Sequence, residues 1–382
     1  MDAAPVLKAA RVAVPVLEPV NGLYSESRGG FYMKYFGLSR LGVCGVAVLL
    51  LGAFAIARAP EDGYHLLKKY ELGAAPGGKE YWDYITFDAS TRHLYISHNT
   101  EVKVVDADSG AIIGSIPDLK RVHGIALVPD LGRGFISDGG ADEAVVFGLK
   151  NLKVTGHIKT GANPDCILYD PASKHIFTMN GKSNDASVID PAAETVVATI
   201  PMGGRPEYAV ADGKGMIYEN IEDKDEVVAL DSRTNTVKAH WPVAPSGGAT
   251  AMAMDVQHRR LFIGGRNKVL AIMDADSGKV LQTFPIGDGV DTNIYEPETG
   301  LLFSATREGT LHIFHEDTPD KFRVVETVKT EFGARNMALD PKSHRLFIDT
   351  ADFAPAAAPT AEQPKPQPTP VSGTFRLLVY GR

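Results

Sequence analysis

Seven aromatic residues recur along the chain: Tyr95, Phe135, Phe177, Tyr218, Phe262, Phe303 and Phe347, separated by 40, 42, 41, 44, 41 and 44 residues. Each lies in one short phrase, an apolar strand that follows a turn, as in HLYISHN (93–99), HIFTMN (175–180) and RLFIDT (345–350). A second phrase alternates with it, strand, Asp, turn and strand, as in VVDADSGAIIGSI (104–116) and IMDADSGKVLQTF (272–284). Apolar residues alternate or run in short β-branched blocks bounded by Gly, Asp and Asn, which is strand patterning. No stretch of 60–382 keeps a helical period. A unit of four short strands cannot bury both faces of its own sheet; only neighbours on either side can, and a ring of such units is a β-propeller. The predicted fold is all-β, a seven-bladed β-propeller of four-stranded antiparallel blades. The last repeat holds three strands, at 337–339, 345–350 and 375–380, and the fourth is expected from 64–72, ahead of the first full repeat. Residues 354–370 (APAAAPTAEQPKPQPTP) are rich in Pro and Ala. Proline lacks the ladder donor, so this tract reads as an exposed loop of the seventh blade that joins no sheet.

Residues 33–59, MKYFGLSRLGVCGVAVLLLGAFAIARA, begin with basic Lys34 and Arg40, stay apolar from Leu41 to Ile56 and end on Ala57, Arg58 and Ala59. That is the layout of a secretory leader cleaved after Ala59; left uncleaved, it would be an N-terminal anchor. Its apolar run is shorter than the roughly 20 residues of a membrane span. Met33 is a natural start, so 1–59 read as leader and 60–382 as propeller. The expected location is periplasmic or extracellular, and the expected state a monomer without a membrane span. Cys166 is then the sole thiol of the exported part and reads as a small buried hydrophobe.

Composition removes several chemistries. Acidic residues number 47 against 39 basic, a net charge of −8, so a nucleic-acid partner held by phosphate neutralisation is not expected. Two cysteines cannot supply a Cys-rich zinc site or an iron–sulfur cluster. The chain has no G-x-S-x-G, G-x-x-x-x-G-K-[ST], H-E-x-x-H or C-x-x-C-H motif. DADSG at 106–110 and 274–278 opens like an EF-hand loop, but the twelfth positions are Pro117 and Pro285, where a bidentate Glu is required.

The repeats resemble the YncE-like family of exported propellers, also called YVTN-repeat propellers. The resemblance covers about 64–382 and rests on the F/Y-I strand phrase, the D-x-x-(S/T)-G hairpins and the G-x-x-P junctions at 161–164 and 203–206. ISHN and FIDT stand where YVTN would. The resemblance implies a location and a shape rather than a reaction.

The first strand of each blade starts beside the central channel. Aligned, the starts give Asp83, Gly124, Asp165, Glu207, Thr250, Asp291 and Arg335, spaced 41, 41, 42, 43, 41 and 44. His123, Asn163, Arg205 and Asn336 flank this column. The ends of the second strands are expected to reach the same face, bringing His98, Asn99, Asp138, Asn180, Glu219, Asn220, Arg266, Arg307 and Asp349. The expected ligand-binding mouth is therefore built from His123, Asn163, Asp165, Arg205 and Glu207, and from Arg266, Asp291, Arg307, Arg335 and Asn336. Carboxylates that crowd together either take up protons or recruit a cation. Asp83, Asp165, Glu207 and Asp291 thus form a candidate site for Ca²⁺ or another divalent cation, set against a merely water-filled channel with polar walls. His93, His175, His258 and His344 recur just before the second strand, on the opposite face, and are not expected to be ligands.

Three functions fit. The first is an exported, non-catalytic binding module for a partner protein, peptide, envelope polymer or small molecule at the polar mouth. The second is a divalent-metal-dependent hydrolase of the gluconolactonase type, in which a carboxylate would serve as general base. The third is the propeller subunit of an exported dehydrogenase.

Overall fold

The computed structural model describes residues 63–360 and 365–382; the leader at 33–59 lies outside them. Among the described residues no helix is long and apolar enough to cross a membrane. Seven four-stranded antiparallel sheets carry the chain. Six blades follow one another in sequence, from the innermost strand Trp82–Asp88 of the first to the outermost strand Lys321–Lys329 of the sixth. The seventh runs Met337–Asp340, Arg345–Thr350, Arg376–Gly381 and then His65–Glu71, with Lys69 opposite Leu378 and Tyr70 opposite Leu377. Each innermost strand packs on that of the next blade, and Met337–Asp340 packs on Trp82–Asp88.

The core is divided into seven clusters, one between each pair of neighbouring blades. The strand period of two produces this arrangement, because successive side chains point to opposite sheet faces. In Arg345–Thr350, Leu346 and Ile348 face the sixth blade while Phe347 faces the first. Each of the seven recurrent aromatic residues occupies a different cluster and faces the following blade, at 0–1% exposure. The 40–44-residue period is therefore the repeat of one wedge packed on the next.

Two irregularities recur in the blades. The outermost strand of every blade carries one extra residue at the same register: Ile113, Thr155, Val197, Lys238, Leu281, Val325 and Leu67. These bulges twist an otherwise open edge and interrupt its row of donors and acceptors, which blocks edge-to-edge pairing. The innermost strands of the first six blades are irregular at the column residue, for instance between Trp82 and Ile85 and between Pro206 and Ala209. The Pro/Ala tract departs from expectation at its ends, where Phe353–Ala354 pairs with Thr369–Pro370 in a two-stranded ladder. Proline is tolerated there because a two-strand ribbon is all edge.

Candidate functional site

The inner-strand bulges explain how the mouth forms. In each of the first four blades two residues oppose one, so successive side chains can both turn toward the axis. The column N–H displaced from the ladder finds a side chain of the second strand. Ser97 Oγ accepts from Asp83 N at 2.8 Å, Ser137 Oγ from Gly124 N at 2.7 Å and Glu219 Oε1 from Glu207 N at 2.6 Å. At Gly124 an added Cβ would stand 2.9 Å from Ile167 Cγ2 and 3.2 Å from Ile167 N, so this position stays bare and His123 takes its place at the mouth.

The result is a cavity of about 450 Å³ at the start of the inner strands. Asp83, His123, Asn163, Asp165, Arg205, Glu207, Arg266, Asp291, Arg335 and Asn336 all line it. Arg307 does not. It lies over the Phe332 ring at 5.0 Å, donates to Gln367 Oε1 at 2.7 Å and borders a smaller adjoining hollow.

The charges sort into three groups. His123 Nδ1 is 2.7 Å from Asp83 Oδ2 and 3.6 Å from Asp165 Oδ1, and the Tyr81 hydroxyl donates to Asp83 Oδ2 at 3.0 Å. Asp83, His123 and Asp165 each offer an atom within 4.8 Å of the others, a set able to hold a metal ion. Glu207 and Asp291 stand outside that set, each with its own arginine: Arg266 Nη2 at 3.7 Å from Glu207 and Arg335 Nε at 3.1 Å from Asp291. Glu222, 7% exposed at the side chain, receives both Arg205 and, at 2.7 Å, Arg266 Nε.

Burial dominates the acid equilibria. It pushes Asp165 up to about 7, with Asp83 and Asp291 adding to the rise and His123 opposing it. Burial likewise raises Glu207 to about 10, helped by the charges of Asp165 and Glu222. Asp291 is raised by burial against the pull of Arg335. Burial works against a charged His123, but the Asp165 and Asp83 carboxylates lift it above the usual histidine range. Behind the lining, Glu219 and Asp349 are fully buried, and burial holds both carboxyls well above the carboxylate range. Glu219 Oε2 and both Asp349 oxygens have no hydrogen-bond partner among the described residues. Asp165, Glu207 and Asp291 thus hold protons more tightly than ordinary carboxyls, and a cation could displace them.

The ends of the second strands do not behave as expected. His98 is buried beside Glu80 at 2.6 Å and stacks on Phe375, Asp138 accepts from Lys120 N at 2.9 Å, and Asn180 donates to Asp185 and Ser187. Asn99 donates to Lys79 O and Asn220 to Ala251 O. One strand out from the axis, these groups satisfy blade interiors, and only Arg266 of that group lines the cavity. Sequence reasoning missed Tyr81, Tyr84, Arg121, Lys182, Tyr208 and Glu222. Tyr84 of the first blade and Tyr208 of the fourth stack at 5.4 Å, and the Tyr84 hydroxyl donates to Glu207 O at 3.1 Å, so the pair crosses the axis. Both follow a column residue by one position, the signature of the bulge. Cys166 is buried, as expected, and burial pushes its thiol well up.

No protein-family model matches the chain, and no curated protein matches it. Among solved structures it is similar to a chain of "Kuenenia stuttgartiensis Hydrazine Synthase", with a TM-score of 0.62 and 16% identity over 69% of this chain and 91% of that one. At that identity the likeness is one of fold: the chain is a seven-bladed β-propeller.

Proposed function

We propose that this propeller is a non-catalytic binding module whose mouth takes a cationic group of a small molecule or peptide, or a hard divalent cation. The observation that carries the reading is the set of carboxyls around one cavity, Asp165 near 7 and Glu207 near 10, which hold protons in the fold. A cation entering there displaces protons and meets the carboxylates of Asp165 and Glu207 in the cavity wall. The leader-like 33–59 and the YVTN-type phrases support an exported member of the YncE-like family.

Calorimetry with spermidine and with Ca²⁺, each in two buffers of different ionisation enthalpy, tests it. The expected result is binding with proton release, weakened by Asp165→Asn and by Glu207→Gln. No heat from either cation above neutral pH contradicts the proposal.

A second reading rests on the Asp83, His123 and Asp165 set. A divalent ion there would polarise a lactone carbonyl, and a carboxylate of the mouth would serve as general base. Chelator-sensitive lactone turnover that Asp165→Ala abolishes would establish this hydrolase over the binding module.

A further inference from the structure

On the face opposite the mouth, four of the acidic residues at the ends of inner strands are tied to a neighbouring blade. Arg92 Nη2 donates to Asp340 at 2.8 Å, Arg259 Nη1 to Asp212 at 3.1 Å and Ser232 Oγ to Asp170 at 2.5 Å, while His344 Nδ1 meets Glu296 Oε1 at 2.8 Å in hydrogen-bond geometry. Asp255, at the end of the fifth inner strand, is arranged differently against the sixth blade. His258 Nδ1 lies 2.7 Å from Asp255 Oδ2 and 2.9 Å from Glu316 Oε1, so two carboxylates from different blades converge on one ring nitrogen. The distances are those of an ion pair, yet neither oxygen stands in line with the ring N–H. His258 Nδ1 and Glu316 Oε1 are buried atoms without a hydrogen-bond partner among the described residues. The side chains of Asp255 and Glu316 are 2% and 3% exposed, and no arginine or lysine forms an ion pair with either among the described residues. The Asp83, His123 and Asp165 set differs here, since its Nδ1 and Asp83 share a well-formed hydrogen bond.

We propose that Asp255, His258 and Glu316 form a binding site for a divalent first-row transition cation that joins the fifth and sixth blades. One N–H can satisfy only one carboxylate in line, whereas a metal ion accepts all three donors at once. The three candidate donor atoms already lie within 4.8 Å of one another. An imidazole nitrogen with two carboxylates suits zinc, cobalt, nickel or manganese and not calcium, which prefers oxygen alone. The outer atoms are already held: the Tyr295 hydroxyl donates to Glu316 Oε2 at 2.5 Å and Gln257 N–H to Asp255 Oδ1 at 2.9 Å, the kind of support that fixes metal-ligand orientation. His258 is 36% exposed at the side chain, so the ring that closes the site stands at the surface. The blade-periodic histidines are thus not equivalent, and His258 has left the structural role its position suggests.

The test is cobalt spectroscopy on the full chain after chelator treatment. In an Asp165→Asn background, which removes the mouth set, the protein is expected to bind one cobalt ion per chain with visible d–d bands that His258→Ala and Glu316→Gln remove. His258→Cys is expected to add a thiolate-to-cobalt charge-transfer band, which arises only if this position ligates. Circular dichroism confirms that each variant is folded. A spectrum of the Asp165→Asn protein identical to the aqueous ion, or bands that survive both His258→Ala and Glu316→Gln in that background, would overturn the assignment. The mouth reading stands or falls separately, on proton release at Asp165 and Glu207.

Discussion

Replacing Asp165 by Asn probes the electrostatics of the mouth at its centre. Asp165 titrates near 7 in the fold, against about 3.9 in an unfolded chain. The native state therefore holds this proton more tightly than the unfolded one. Below about pH 4 both states are protonated and the residue costs nothing; as pH rises toward about 7 the unfolded chain ionises first, so stability falls across that window. About three pH units at 1.36 kcal/mol each set a ceiling of about 4 kcal/mol. The carboxyl keeps 18% of its surface open to the cavity, and water there offsets part of the penalty, leaving about 2–4 kcal/mol. Asp165→Asn removes the titration. Its loss also relieves Glu207, which the Asp165 charge pushes up, so the gain includes a coupled share. Urea midpoints are expected to coincide for parent and variant near about pH 4, and to favour the variant by about 2–4 kcal/mol near about pH 8. Equal pH dependence in the two proteins would show that the fold does not raise the Asp165 carboxyl.

Other perturbations reach different links. Arg335→Met leaves Asp291 without its guanidinium at 3.1 Å; with the Arg335 side chain 32% exposed, the expected cost is about 1–2 kcal/mol in chemical denaturation. Phe347→Ala empties a fully buried site between the seventh and first blades and is expected to cost about 3–5 kcal/mol, read as a lower thermal midpoint. Deleting Val197 removes the bulge from the outer edge of the third blade, and light scattering is expected to report association through that flattened edge. Deleting 63–71 strips the partner from Arg376–Gly381 and is expected to abolish cooperative unfolding or drive dimerisation; a monomer of unchanged midpoint would show that the strand does not hold the ring.

The blades were legible in the sequence because each depends on its neighbours for burial, which imposes the same alternation and the same aromatic on every repeat. Phe347 and Tyr95 occupy equivalent places for that reason. The acidic column was legible too, since every inner strand begins at one register. What stayed hidden turns on a single residue of offset. A bulge at Asp83 and Tyr84 sends both to the cavity, and nothing in the residue types separates a bulged pair from a regular one. The same ambiguity misplaced His98 and Asn180, whose polar side chains serve buried bonds and not the mouth. Arg307 was drawn away by Phe332 and Gln367, the latter from the Pro/Ala tract, whose path no repeat specifies. His258 is the converse case, a periodic turn residue whose partners Asp255 and Glu316 meet only once two blades are packed together.

On the proposed reading, Asp165 and Glu207 hold protons until a cation displaces them. Carbon-13 NMR of the side-chain carboxyls, followed across pH, measures this directly. Asp165 is expected to titrate near 7 and Glu207 near 10, with both midpoints falling when a bound cation fills the cavity. Midpoints for both residues at the ordinary values of about 4 would contradict it.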